Sequence, residues 1–169
     1  MIISYGTREK HETSIKRLRR SCKALNAECY LKVIDDDFFS EERFKYLYKP
    51  TFILNSLLEF RRPVIWMDAD SILVDRPWIE HYDFSFGYVR SPEGSKKWLA
   101  DSCHIHTLGN VEFLKVWIEF CKKEKGHSDH RQLINTFEHM KDRVASIDVS
   151  GWFKGCYIRN YGKKDEIYY

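Results

Sequence analysis

The alternation of apolar and polar positions sets out most of the chain. Ile2, Ile3 and Tyr5 read as a short strand that Gly6 and Thr7 break. Apolar residues then recur at Ile15, Leu18, Cys22 and Leu25, the spacing of a helix with one buried stripe, running to about Ala27. Cys29-Tyr30-Leu31-Lys32-Val33-Ile34 reads as a second strand, stopped by Asp35-Asp36-Asp37. A strand, a helix and a strand in this compass form a βαβ unit and predict a parallel pair. Residues 38–48 show no clear period. Pro50 suits the first turn of a helix that runs to about Phe60 and ends at Arg61-Arg62-Pro63. Val64-Ile65-Trp66-Met67 is apolar throughout, as a strand buried on both faces requires, and it runs straight into Asp68-Ala69-Asp70.

The second half is less regular. Residues 84–89, 103–107 and 144–149 read as strands. Asn110 can cap a helix with apolar positions Val111, Leu114, Ile118 and Cys121, ended by Gly126. Ser128 can cap another that carries Leu133, Ile134 and Phe137. Glycines at 151, 155 and 162 stand among Trp152, Phe153, Tyr157 and Tyr161, as in a mobile closing segment. No repeat or linker interrupts the pattern. The expectation is one α/β domain over residues 1–169, with a mixed, mostly parallel central sheet flanked by helices.

Composition sharpens this little. With 43% hydrophobic and 31% charged residues the chain is neither disordered nor fibrous. Twenty-eight basic and 25 acidic residues are well mixed, and the net charge of +3 calls for no nucleic-acid partner. The densest basic run, Lys16-Arg17-Leu18-Arg19-Arg20, reads as the solvated face of the first helix. The five cysteines, at 22, 29, 103, 121 and 156, form no CxxC pair, which argues against a disulfide framework or zinc site and for reduced thiols in a cytoplasmic protein. The first six residues lack the features of a signal peptide. No apolar run approaches the ~20 residues that span a bilayer.

The chemistry concentrates at Asp68 and Asp70. A buried strand delivers both carboxylates at its C-terminal end, where open α/β sheets bind ligands. Residues i and i+2 of an extended segment point the same way, so both can reach one hard cation, Mg²⁺ or Mn²⁺. The plainer reading is a turn after a strand. Asp129, behind the cap Ser128, stands at a helix N-terminus whose dipole favours its charge. As a fixed anion it could hold sugar hydroxyls or oppose a developing positive charge. Lys163, with Lys164 beside Gly162, could close over a phosphate, or belong to an exposed tail. His104 and His106 share a strand face, but no third soft ligand accompanies them. Thr7 lies where a βα turn offers backbone groups to a nucleotide. Neither GxGxxG nor GxxxxGK[ST] occurs, which argues against a dinucleotide fold and a P-loop enzyme.

Lys49-Pro50, the helix that follows, Pro63 to Ser71 with its Asp68-Ala69-Asp70 core, and then Pro77 resemble the nucleotide-sugar core of GT-A glycosyltransferases. The downstream order is similar too: a strand ending near Thr107, a helix with Trp117, then Ser128-Asp129-His130. The compactness resembles the small glycosyltransferases encoded by large algal viruses, and a virus-encoded chain would work in the host cytoplasm. The resemblance implies a Rossmann-like GT-A fold, with residues 1–75 a nucleotide-binding half and 76–169 a sugar and acceptor half. It implies that Gly6 and Thr7 hold the base and ribose and that Lys49 and Ala69 border the nucleotide, with Lys163 the tail's candidate for closing over a phosphate. With Mn²⁺ or Mg²⁺ at Asp68 and Asp70, Asp70 would contact the metal directly and Asp68 the ribose or a metal-bound water, and Asp129 would contact the donor sugar. His130 stands where the family has the Gln of an Asp-Gln pair, so it joins Asp129 as a catalytic candidate. The implied partners are a nucleoside-diphosphate sugar, UDP being the commonest, and a glycan or other hydroxyl acceptor, with retention of configuration. No base for an inverting mechanism stands out. No histidine follows His139 to supply the metal ligand that retaining members carry near the C-terminus. Trp152 and Phe153 would line an open acceptor side. Two other readings share the motif: a haloacid-dehalogenase-type phosphatase with Asp68 as nucleophile, and a nucleotide- or carbohydrate-binding module without turnover.

Overall fold

The computed structural model describes residues 1–39, 42–75, 83–90, 99–123, 128–150, 157–158 and 166–167. The first unit forms as the pattern predicts. Strand β1 (Ile2–Thr7), helix α1 (Arg8–Ala24) and strand β2 (Cys29–Ile34) make a parallel βαβ unit in which Ile2 pairs with Cys29 and Thr7 with Ile34. Ile15, Leu18 and Cys22 are fully buried along α1.

Helix α2 (Glu42–Phe60) departs from expectation. It begins eight residues before Pro50, so the proline lies inside the helix rather than in its first turn. Proline there lacks an N–H and crowds the preceding turn. Packing overrides this cost. Tyr48 sets its ring edge-on to Tyr5 at 4.7 Å and to Phe38 at 5.0 Å, and Phe52 meets Tyr5 at 5.4 Å. Such aromatic contacts add about 0.5–1.5 kcal/mol each beyond area burial.

Strand β3 (Val64–Met67) is buried at every position and lies between β1 and the antiparallel strand β6 (Leu99–His106). A two-residue strand, β4 (Ser71–Ile72), follows it, and β5 (Phe86–Arg90) pairs antiparallel with β6. Helices α3 (Val111–Lys123) and α4 (Asp129–Met140) precede β7 (Ser146–Asp148). The main sheet has the order β2-β1-β3-β6-β5-β7. All its strands except β6 run in one direction, so the sheet is mixed and mostly parallel. Short strands β8 (Tyr157–Ile158) and β9 (Glu166–Ile167) join β4 in a second, three-stranded sheet.

The period of two along the strands divides the core. Ile2, Ile65 and Met67 pack with Leu18 and Cys22 of α1 on one face. Ile3, Val64 and Trp66 pack with Phe52, Ile53 and Leu57 of α2 and Phe113, Leu114 and Trp117 of α3 on the other. The buried face of α3 is therefore centred on Phe113, Leu114, Trp117 and Cys121, while Val111 and Ile118 lie at its margin.

Asn110 does not serve as the expected cap. It is fully buried, and its amide Nδ2 donates to His106 Nδ1 at 2.5 Å. His106 Nε2 in turn donates to His104 Nδ1 at 2.6 Å. The two histidines thus bond to each other within the core instead of converging on a metal. Burial holds both imidazoles neutral, pushing His106 down to about 3.

Candidate functional site

Strands β1 and β3 run parallel, so their C-terminal ends open on the same edge of the sheet. An open cleft of about 300 Å³ lies there. Its lining includes Gly6 and Thr7 from the end of β1, Lys49 from α2, Asp68, Ala69 and Asp70 from the end of β3, and Asp129 from the start of α4. These are seven of the residues that the sequence singled out, separated by up to 123 positions (129 − 6).

Lys49 is the hub. It is only 3% exposed, yet its ammonium stands 3.3 Å from Asp68 Oδ1 and 3.7 Å from Asp129 Oδ2. It also sits 4.9 Å above the Trp66 ring, a cation–π arrangement. The Trp66 indole N–H donates to the same Asp68 oxygen at 2.9 Å. Asp68 continues the parity of Val64 and Trp66, which brings it to the α2 side where Lys49 waits.

Asp68 and Asp70 lie in a turn, not in an extended segment: the Ser71 amide donates to the Asp68 carbonyl at 2.9 Å. This corrects the geometry that strand alternation predicts, because the chain must reverse to enter β4. Both side chains still line the one cleft. Burial raises the Asp70 carboxyl above its ordinary range, opposed by its own backbone amide and by the positive charges of Arg17 and Lys49.

Asp129 occupies the first turn of α4, as expected, and Ser128 Oγ caps that helix by accepting from the Arg131 amide at 3.3 Å. Trp117 on α3 donates its indole N–H to the Asp129 carbonyl at 3.1 Å. The helix tryptophan and the acidic residue, twelve positions apart, are thereby joined. His130 follows Asp129 but is 9% exposed and is not part of the cleft lining. Lys163, Trp152 and Phe153 lie outside the described residues.

Three further residues line the cleft to which the sequence pattern gives no site role: Tyr5, His11 and Trp66. His11 sits one turn into α1, and its Nδ1 accepts from the Thr7 amide at 3.2 Å and the Thr7 hydroxyl at 3.1 Å. Its Nε2 therefore carries the proton as a donor. Gly6 permits this approach, since a Cβ there would stand 2.4 Å from His11 Cβ. The i to i+4 spacing of Thr7 and His11 was the available signal.

The cleft is lined by Asp68, Asp70 and Asp129 together with His11, and no group of three His, Cys, Asp or Glu side chains that could hold a metal ion gathers among the described residues. Asp68 and Asp70 would leave most of an octahedral shell to water and ligand oxygens, the usual manner of Mg²⁺ and Mn²⁺ at phosphate sites.

No protein-family model matches the chain, and no curated protein sequence matches it. Solved structures do. A glycosyltransferase involved in the glycosylation of the major capsid of PBCV-1 superposes with a TM-score of 0.66 at 13% identity, over 88% of this chain and 81% of that one. The glycosyltransferase GlyE of Streptococcus pneumoniae TIGR4 gives 0.61 at 15% identity in its apo form, over 88% of this chain and 45% of that one. A second GlyE structure gives 0.58 at 14% identity, over 90% and 46%. This chain spans less than half the length of the GlyE chains. No described helix is long and apolar enough to cross a membrane. The six-stranded sheet with its flanking helices is the fold of these glycosyltransferases.

Proposed function

We propose that the protein is a metal-dependent glycosyltransferase that moves a sugar from a nucleoside-diphosphate sugar, a UDP-sugar, to a hydroxyl of a glycan acceptor with retention of configuration. One observation carries the reading. On a glycosyltransferase fold, the backbone of Gly6 and Thr7, the Lys49 ammonium and the carboxylates of Asp68, Asp70 and Asp129 meet in a single cleft at the strand ends.

The roles follow from position. Gly6 and Thr7, at the β1–α1 junction, border the base and ribose, and His11 offers an N–H beside them. Asp70 and Asp68 would hold the metal, with Asp68 Oδ1 also accepting from Lys49 and Trp66. When bound, Mn²⁺ or Mg²⁺ supplies Lewis-acid stabilisation of the departing diphosphate. Lys49 spans Asp68 and Asp129 and so fixes the metal-side and sugar-side carboxylates relative to each other. Asp129 holds a donor-sugar hydroxyl. Its ion pair with Lys49 suits holding a hydroxyl better than taking its proton, in keeping with retention. Lys163 and the acceptor-side aromatics remain part of the proposal from the sequence.

A thermal-shift screen of UDP, GDP and CMP, each with and without Mn²⁺, tests this. Ligand at a hundred times its Kd stabilises by ~2.7 kcal/mol, which is roughly 5–10 °C for a domain of this size. The expected result is a shift with UDP that requires Mn²⁺. No shift with any nucleotide would remove the donor-site assignment. A bound nucleotide with no sugar release from any donor would favour the binding module.

A further inference from the structure

The basic run on α1 is only in part a solvated face. Lys16 is exposed and pairs with Glu12 at 2.7 Å, and exposed Arg19 donates to the Leu31 carbonyl at 2.9 Å. Arg17 behaves differently. It is half-buried, and its Nη2 donates to the main-chain carbonyl of Asp70 at 3.1 Å. One turn further along α1, Ser21 Oγ accepts from the Leu73 amide at 3.0 Å and donates to the Leu18 carbonyl at 2.8 Å. Residues four apart share a helix face. The chain from Asp70 to Leu73 is therefore tied to α1 at both ends.

This seam is a poor design for stability alone. Arg17 Nε is buried with no hydrogen-bond partner, and so are the hydroxyls of Ser71, next to Asp70, and of Ser4. Ser4 lies on β1 with the parity of Ile2 and Gly6, the face that α1 covers. Buried polar groups left unpaired are costly, and an apolar side chain in place of Arg17 would remove the unpaired Nε. What the arginine does accomplish is to grip the backbone of the residue whose carboxylate faces the cleft.

The geometry points to Arg17 as a positioning residue: by holding the Asp70 carbonyl it fixes the turn from which the Asp70 carboxylate reaches the metal. The inference rests on the metal site proposed above. It separates the two tethers by purpose. Arg17 sets the direction of Asp70, and Ser21 secures β4 to the helix.

The test compares the wild type with Arg17→Met, Arg17→Lys and Ser21→Ala. Methionine keeps an apolar stem without the donor, and lysine keeps one N–H for the carbonyl. Mn²⁺ binding is measured by electron paramagnetic resonance of free Mn²⁺ in the presence of UDP, alongside Tm and metal-free UDP binding. Arg17→Met should weaken Mn²⁺ binding roughly tenfold, the scale of one hydrogen bond, with Tm within about 2 °C of wild type and metal-free UDP binding unchanged. Arg17→Lys should recover part of the affinity. Ser21→Ala should lower Tm and leave Mn²⁺ affinity intact. Wild-type Mn²⁺ affinity in Arg17→Met overturns the role. So does a loss of affinity in Arg17→Met that merely accompanies a fall in Tm and is matched by Ser21→Ala. A wild type that binds UDP but never Mn²⁺ removes the metal site itself, and the role of Arg17 with it.

Discussion

Replacing Lys49 by Met would expose how the cleft balances its charges. The ammonium is 4% exposed as a side chain and faces two carboxylate oxygens, at 3.3 Å and 3.7 Å. At an effective dielectric near 20, each attraction is at most ~5 kcal/mol before desolvation is subtracted. Removing one partner from a fully buried ion pair costs about 3–5 kcal/mol. The carboxylates retain 33% and 23% of their exposure, so water takes up part of the loss. Methionine also keeps much of the stem packing against Trp66. The net expectation is a destabilisation of about 2 kcal/mol, or a Tm lower by roughly 4–8 °C. Urea unfolding in metal-free buffer at pH 7.5 measures it. The same substitution removes one of the two donors on Asp68 Oδ1 and a competing cation, so Mn²⁺ alone should stabilise Lys49→Met more than it stabilises the wild type. Equal unfolding free energies for the two proteins in metal-free buffer would refute the buried-hub reasoning. A smaller Mn²⁺ effect in the variant would refute the assignment of Asp68 to the metal.

The buried histidines predict acid sensitivity. The folded state holds His106 at about 3 against its ordinary 6.5, so between these values the unfolded chain binds a proton that the folded chain refuses. Stability is therefore complete above pH 6.5 and falls as pH drops, at about 1.4 kcal/mol per unit, or ~2 kcal/mol by pH 5 from His106 alone. His104, also lowered by burial, acts in the same direction, while the raised Asp70 carboxyl gives a gain on acidification at lower pH. Unfolding free energies that stay level from pH 7.5 to 5 would contradict this. Gly6→Ala should lower stability by about 2 kcal/mol, because the new Cβ meets His11 Cβ at 2.4 Å, an atom too close to the backbone to swing away. Thermal denaturation measures the loss, and a variant as stable as the wild type would show that α1 can shift from β1.

The legible parts of the molecule were those in which one local rule acts alone. Strand β2 occupies the run of six residues that alternation marks out, and the fully apolar Val64 to Met67 run is central in the sheet. The carboxylates at the end of that run reach the cleft because strand ends in a parallel arrangement share an edge. Where tertiary packing overrides local preference, the pattern misleads. Pro50 marks a helix start by itself, but the ring contacts of Tyr48 extend α2 ahead of it. Asn110 has the composition of a cap, yet the buried His106 claims its side chain. Arg17 is one of a run of solvated charges until β4 folds back beside α1 and brings the Asp70 carbonyl within reach. Lys49 could be named from a resemblance, whereas its place between Asp68 and Asp129 depends on three separate elements meeting.

The central claim is that the cleft splits a nucleoside-diphosphate sugar with help from a cation held at Asp70. Release of UDP from a panel of UDP-sugars, followed by chromatography with Mn²⁺ or with EDTA, tests it directly, with Asp70→Asn run in parallel. The account predicts UDP release from at least one donor by the wild type with Mn²⁺. It also predicts loss of that release by at least ~100-fold, about 2.7 kcal/mol of transition-state stabilisation, both with EDTA and in Asp70→Asn. Release that persists unchanged in EDTA or in Asp70→Asn would contradict it.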